Sequence, residues 1–129
     1  LRLLDTCFLI DLLRGDPGAV RVAEGLDGGA TTAVNVYELF FGVEFGAGDR
    51  VARRGEAEAL VERLEVLPFD GVAGRMAAGF MGDLRRRGEP VDALDAFTAS
   101  VGLRHGCRVV VTRNVGHFER FPEISVEAY

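Results

Sequence analysis

No lysine occurs anywhere in the 129 residues; all 15 basic side chains are arginine. A phospho-accepting receiver domain places a paired acid after its first strand and a lysine near its last, so this absence counts against that class. Cysteine is almost as scarce. Cys7 and Cys107 are the only two, and each lies in an apolar stretch that suits a buried free thiol, so no disulfide is expected and the cytosol is the expected compartment. The two histidines, His105 and His117, stand apart. With no cluster of His and Cys, a zinc site is not expected. No apolar run approaches the roughly 20 residues that span a bilayer, and the start of the chain lacks the pattern of a secretory signal. Neither a glycine-rich phosphate loop nor a serine in a nucleophile elbow is present.

A basic balance is missing too. The formal net charge is -5 and the pI about 5.0, which removes the overall positive footprint that holds nucleic acid by counterion release. A phosphodiester would then need a local centre in which cations reverse the charge of clustered acids.

What is present is a hydrophobic fraction of 48%, enough for one domain over residues 1–129 with its own core. Short β-prone runs alternate with helical patterns. Leu1 to Leu4, "ATTAV", "EVLPFD", "CRVVVT" and "ISVEAY" read as strands. Between them, Phe8, Leu9, Leu12 and Leu13 recur at helical spacing, and Pro17 opens a second helix. "NVYELFFGVEFG" forms an apolar helix, "EAEALVERL" a surface helix with Leu60, Val61 and Leu64 inward, and two later helices close with arginine or histidine followed by Gly88 and Gly106. "GAGDRVARRG" reads as a loop and "VGHFERFP" as a turn. This alternation predicts an α/β fold of three layers, with a parallel sheet between helices.

In such a sheet, ligands gather beyond the carboxyl ends of the strands, and acids stand in those places. Asp5 follows the first strand, Glu38 begins the helix after the second, Asp95 lies in the first turn of a late helix, and Asn114 follows "CRVVVT". Each has a purely structural explanation. Asp5 and Asp92 suit helix N-caps, Glu38 falls three residues after Asn35 as in a capping box, and Asn114 suits a turn. Caps, however, have no reason to share one end of one sheet. Asp70 also follows a strand, a peripheral one, and reads as a plain cap. Three carboxylates brought together repel one another unless a cation compensates, and an all-oxygen set selects Mg²⁺ or Mn²⁺.

The segments "LLDTCFLIDLLRG", "VNVYELFFGVEFG" and "VDALDAFTASVGLRHGCRVVVTRNVGHFERFPEISVEAY" together resemble the PIN-domain family, in particular the VapC-type toxins of prokaryotic toxin–antitoxin pairs. The resemblance covers essentially the whole chain and is most specific in the last segment. It implies a Mg²⁺- or Mn²⁺-dependent endoribonuclease of PIN-like α/β/α fold, a homodimer held inactive by a small VapB-like antitoxin. Asp5, Glu38 and Asp95 match the metal-binding acids of the family, and Asn114 stands where the family has Asp or Asn. Thr112 matches the hydroxyl residue just before that position. Arg113 is the expected substrate contact, and Asp92 is expected to cap its helix or reach the metal through water. The alternative is a non-catalytic PIN-like module that binds RNA or protein.

Overall fold

The computed structural model describes residues 1–129. Five short strands, β1 (Arg2–Leu4), β2 (Gly29–Thr32), β3 (Glu65–Leu67), β4 (Val109–Val111) and β5 (Ser125–Glu127), form one sheet in the order β3-β2-β1-β4-β5. Every pairing is parallel, with Leu3 opposite both Ala30 and Val110. Because successive side chains of a strand point to opposite faces, Leu3 and Val110 enter one core while Leu4 and Val111 enter another. The chain is therefore obliged to cover both faces with helices, and it does. Helices α1 (Thr6–Leu13), α2 (Pro17–Glu24), α3 (Ala33–Phe45) and α4 (Arg50–Glu62) supply Phe8, Leu9, Ala19, Leu39, Val43 and Ala57 to the Leu4 side. Helices α5 (Gly71–Arg86), α6 (Ala93–Arg104) and the single turn α7 (Val115–Phe118) cover the Leu3 side. The expected three-layer α/β/α architecture is the one found.

Small residues set how closely the Leu3 side packs. Ala73 and Ala77 of α5 and Ala96 and Ala99 of α6 are buried. Gly102 is required by close approach, since a Cβ there would lie 2.7 Å from the Cys107 carbonyl oxygen and 2.9 Å from Leu3 Cδ2.

Local chemistry departs from the sequence-based expectation in three places. The segment read as a loop, "GAGDRVARRG", is helical from Arg50 onward, because the Asp49 side chain accepts from the Ala52 amide and starts α4. The turn after β4 tightens into α7. The capping box belongs to Thr32 and Asn35, not to Asn35 and Glu38: Asn35 is the third residue of α3, which starts two residues earlier than "NVYEL" suggests.

The strand order fixes where a ligand site can form. From β1 the chain steps to β2 and β3 on one side, then crosses to β4 and β5 on the other. The crevice beyond the carboxyl ends of β1 and β4 lies at this switch point.

Candidate acidic site at the switch point

Asp5 ends β1 and starts α1, and its backbone amide still donates to Val111 of β4 (3.1 Å). Although it occupies the N-cap position, its side chain makes no capping bond. That carboxylate is instead 4% exposed and held from two sides. Thr112 Oγ1 donates to Oδ2 (2.7 Å) and Asn35 Nδ2 donates to Oδ1 (3.2 Å). A buried carboxylate is tolerated only with such donors.

The donors form a chain. The capping box fixes Asn35, whose amide also reaches Thr6 Oγ1 (2.9 Å), and Thr6 in turn donates to Glu38 Oε1 (2.8 Å). Asn35 and Thr6 thus couple the first turn of α1 to α3, and they are site residues that sequence reasoning passed over. Their only signal was the placing of Thr6 and Asn35 just after "LLD" and "TTAV", at two strand-to-helix crossings. Burial pushes the Glu38 carboxyl above its ordinary range; the Thr6 bond opposes this, and the charges of Asp5, Asp95 and Asp92 add to it. Asp95 is raised as well, first by burial and then by Asp5 and Asp92, against the bond from His117. These mutual effects place the three acids in one electrostatic neighbourhood.

His117 of α7 sets its Nδ1 2.9 Å from Asp95 Oδ2. Asp92 caps α6 by accepting from the Leu94 amide (2.8 Å). Asn114 stands at the N-cap of α7 without a side-chain capping bond, and its backbone N–H donates to Thr112 Oγ1 (2.9 Å). Thr112 is fully buried between Asp5 and Asn114. Cys7 is half-buried, with Sγ 3.3 Å from Thr112 Oγ1, and Cys107 is buried; both are free thiols. Arg113 Nη2 lies 3.0 Å from Asp11 Oδ1 and 2.8 Å from Oδ2. Asp5, Glu38 and Asp95 themselves offer only carboxylate oxygens, which suit a hard divalent cation. As the side chains stand, no three of His, Cys, Asp or Glu are near enough to chelate an ion. The site is a set of acids held by hydrogen bonds, not a closed cage.

The parallel sheet, its switch point and the acids beyond it place this chain among small α/β proteins with an acidic crevice at the carboxyl ends of the strands. The chain belongs to the PIN domain family, which matches residues 2–124. It is 30% identical over 129 residues to the tRNA(fMet)-specific endonuclease VapC of Shigella flexneri, covering 97% of this chain and 95% of that one. It is 31% identical over 128 residues to ribonuclease VapC19 of Mycobacterium tuberculosis strain H37Rv, covering 96% and 97%. Among solved structures, DNA-bound VapBC from Salmonella typhimurium superposes with a TM-score of 0.87 at 29% identity, covering 99% of this chain and 98% of that one. VapBC2 from Rickettsia felis, bound to a promoter DNA fragment, superposes with a TM-score of 0.89 at 19% identity, covering 99% and 98%, a likeness of fold.

Proposed function

We propose that this protein is a VapC-type endoribonuclease, dependent on Mg²⁺ or Mn²⁺, and the toxin half of a toxin–antitoxin pair. The observation that carries the reading is the hydrogen-bonded relay that links Asp5 through Asn35 and Thr6 to Glu38 beyond β1, with Asp95 close enough for the charge of Asp5 to help raise it. Its relatives named as VapC endonucleases and ribonucleases support it.

Asp5, Glu38 and Asp95 would hold the cation, with Asn114 as a neutral fourth donor. When bound, such an ion activates water and steadies the charge that develops on a phosphodiester. The residues of the chain orient and compensate. Thr112 and Asn35 fix both oxygens of Asp5, so that its position does not depend on the ion. Thr6 keeps Glu38 aimed toward Asp5 and offsets part of the burial that favours its protonated form.

An antitoxin partner is supported by the VapBC complexes among the structural neighbours. An apolar cleft of about 620 Å³, lined by Leu4, Phe8, Leu12, Leu26, Leu60 and Leu64, is a suitable seat for a partner segment. Homodimerisation is supported by Tyr37, Phe41 and Phe45, a solvent-facing aromatic ladder on α3 with centroid spacings of 6.0 and 5.8 Å. No helix is long and apolar enough to cross a membrane; a cytoplasmic location is part of the toxin reading. The test is incubation of purified protein with cellular RNA in Mg²⁺, Mn²⁺ or chelator. Cleavage in metal alone is expected. RNA binding without cleavage in any metal would favour the non-catalytic module, and cleavage undiminished by chelator would refute the metal requirement.

A further inference from the structure

Asp11 is a buried acid to which the site gives no role. It lies on α1, six residues past Asp5, and is 5% exposed. Its neighbours are specific. Tyr129 Oη donates to Oδ2 at 2.6 Å, and Arg113 Nη2 reaches both carboxylate oxygens. The Tyr129 ring is fixed edge-on against Phe8, with centroids 5.0 Å apart, so the phenol is anchored in the core beside α1. Leaving a carboxylate buried without partners costs several kcal/mol, and this one has two. The second of them, Arg113, needs no burial, because its side chain is 56% exposed.

Arg113 is also tied to the acidic site through its backbone. Its N–H donates to Cys7 Sγ (3.3 Å), and Cys7 donates to Asp5 Oδ2 (3.5 Å). The residues on either side of it are Thr112 and Asn114. A guanidinium has five N–H donors in a rigid fork, of which the pairing with Asp11 engages one nitrogen. The others remain for an anion. In a chain with a net charge of -5, an exposed cation held beside Asp5 is where the backbone of a nucleic acid finds its charge complement.

We propose that Asp11, supported by Tyr129, is a positioning residue that fixes Arg113 as a phosphate-binding group beside the scissile position. This rests on the ribonuclease reading. Arg113 contacts a phosphate of the substrate strand, while Asp11 touches no substrate and acts through Arg113.

The test uses a single-stranded oligoribonucleotide, with cleavage kinetics in Mg²⁺ and a salt titration of Kd in chelator. Arg113→Gln is expected to raise KM about tenfold, the scale of one charged hydrogen bond, with kcat changed much less. The slope of log K against log salt should fall by about 0.7, the loss of one neutralised phosphate on a single strand. Asp11→Asn should raise KM with the slope retained, because the charge stays but is no longer held. Arg113→Lys should restore the slope and only part of KM. Since Arg113→Gln leaves the buried Asp11 carboxylate with Tyr129 but no cation, the double variant Asp11→Asn with Arg113→Gln, which leaves no uncompensated charge, is measured beside it and melted to confirm folding. A double variant with wild-type KM and slope but a lower melting temperature would overturn the proposal and leave the pair as a tie between α1 and the loop after β4. Wild-type protein that neither binds nor cleaves RNA would overturn the ribonuclease reading itself.

Discussion

Asp5 and Asp70 occupy the same local position in two different regions of the molecule. Each stands just beyond a short parallel strand, at the N-cap of the helix that follows. Asp70 behaves as that position predicts: it accepts from the Ala73 amide at 2.9 Å, and this bond, helped by Arg104, holds its carboxyl below the ordinary range. Asp5 makes no capping bond and is bound by Thr112 and Asn35. The difference lies in the strands. Asp70 follows β3, at the edge of the sheet, and Asp5 follows β1, which has β2 and β4 as neighbours. The loops and helices after those two strands bring Asn35, Glu38 and Thr112 to Asp5, and nothing equivalent to Asp70. A cap and a candidate ligand differ here by their neighbours, not by their own chain segment.

Charge removal tests that contrast most strongly. Asp5→Asn, Glu38→Gln and Asp95→Asn should each lower kcat/KM for RNA by roughly 10²-fold or more, the scale of losing a directly acting group. Asp70→Asn should cleave at the wild-type rate with a reduced melting temperature. Two of the three site variants with full activity would show that the convergence beyond β1 and β4 is not the active centre. Metal withdrawal should separate the two regions in the same way. Chelator should abolish cleavage, and Mg²⁺ at 100 times its Kd should stabilise the fold by about 2.7 kcal/mol. That stabilisation should vanish in Glu38→Gln and persist in Asp70→Asn, as thermal melts in a metal series would read.

The sequence carries the alternation of elements because burying a parallel sheet on both faces leaves period and punctuation in the chain: Leu3 and Leu4, "CRVVVT", Pro17 at the start of α2. It also carries the positions of Asp5, Glu38, Asp95 and Asn114, since strand-to-helix crossings are local events. What it hides is non-local. Nothing in "DLLRG" tells that Asp11 will meet Arg113 and Tyr129, more than a hundred residues later. The first turns of α4, "RVARRG", were obscured by Gly55 and three arginines, and Ala57 is the only buried residue of that helix. Phe41 and Phe45 look like core by type, yet Leu39 and Val43 take the inward face and leave them 55% and 83% exposed.

A smaller effect follows from the opposite signs of the pKa shifts. Burial and mutual repulsion raise Glu38 and Asp95 in the folded protein, so both favour folding most when protonated, below their ordinary values of 4.5 and 3.8. That contribution is lost as pH rises through the raised folded values. Asp70 runs the other way: its contribution is present above its ordinary value of 3.8 and is lost as pH falls through the depressed folded one. Metal-free Glu38→Gln should therefore melt higher than wild type at neutral pH, with the gain shrinking toward pH 4. Asp70→Asn should melt lower at neutral pH and converge on wild type in acid. Identical pH profiles for the two variants would remove the distinction between a repelled and a capped carboxylate.

The smallest expected effect belongs to Asn114, where the chain takes an amide in place of a charge. It neither caps α7 with its side chain nor carries a charge to add to the repulsion around Asp5. If it completes the cation site as a neutral donor, Asn114→Asp should tighten Mg²⁺ binding, because affinity for hard cations rises with the number of charged oxygens. The same change should lower the metal-free melting temperature, since a fourth acid joins three that already repel one another. Cleavage need not rise with affinity, because tighter holding of the ion does not by itself stabilise the transition state more than the ground state. Asn114→Ala should cost less activity than Asp5→Asn, as it removes a dipole and not a charge. Calorimetric titration of Mg²⁺ into wild type and both variants reads the order directly, and equal affinities in all three would make Asn114 a turn residue at the start of α7 and nothing more.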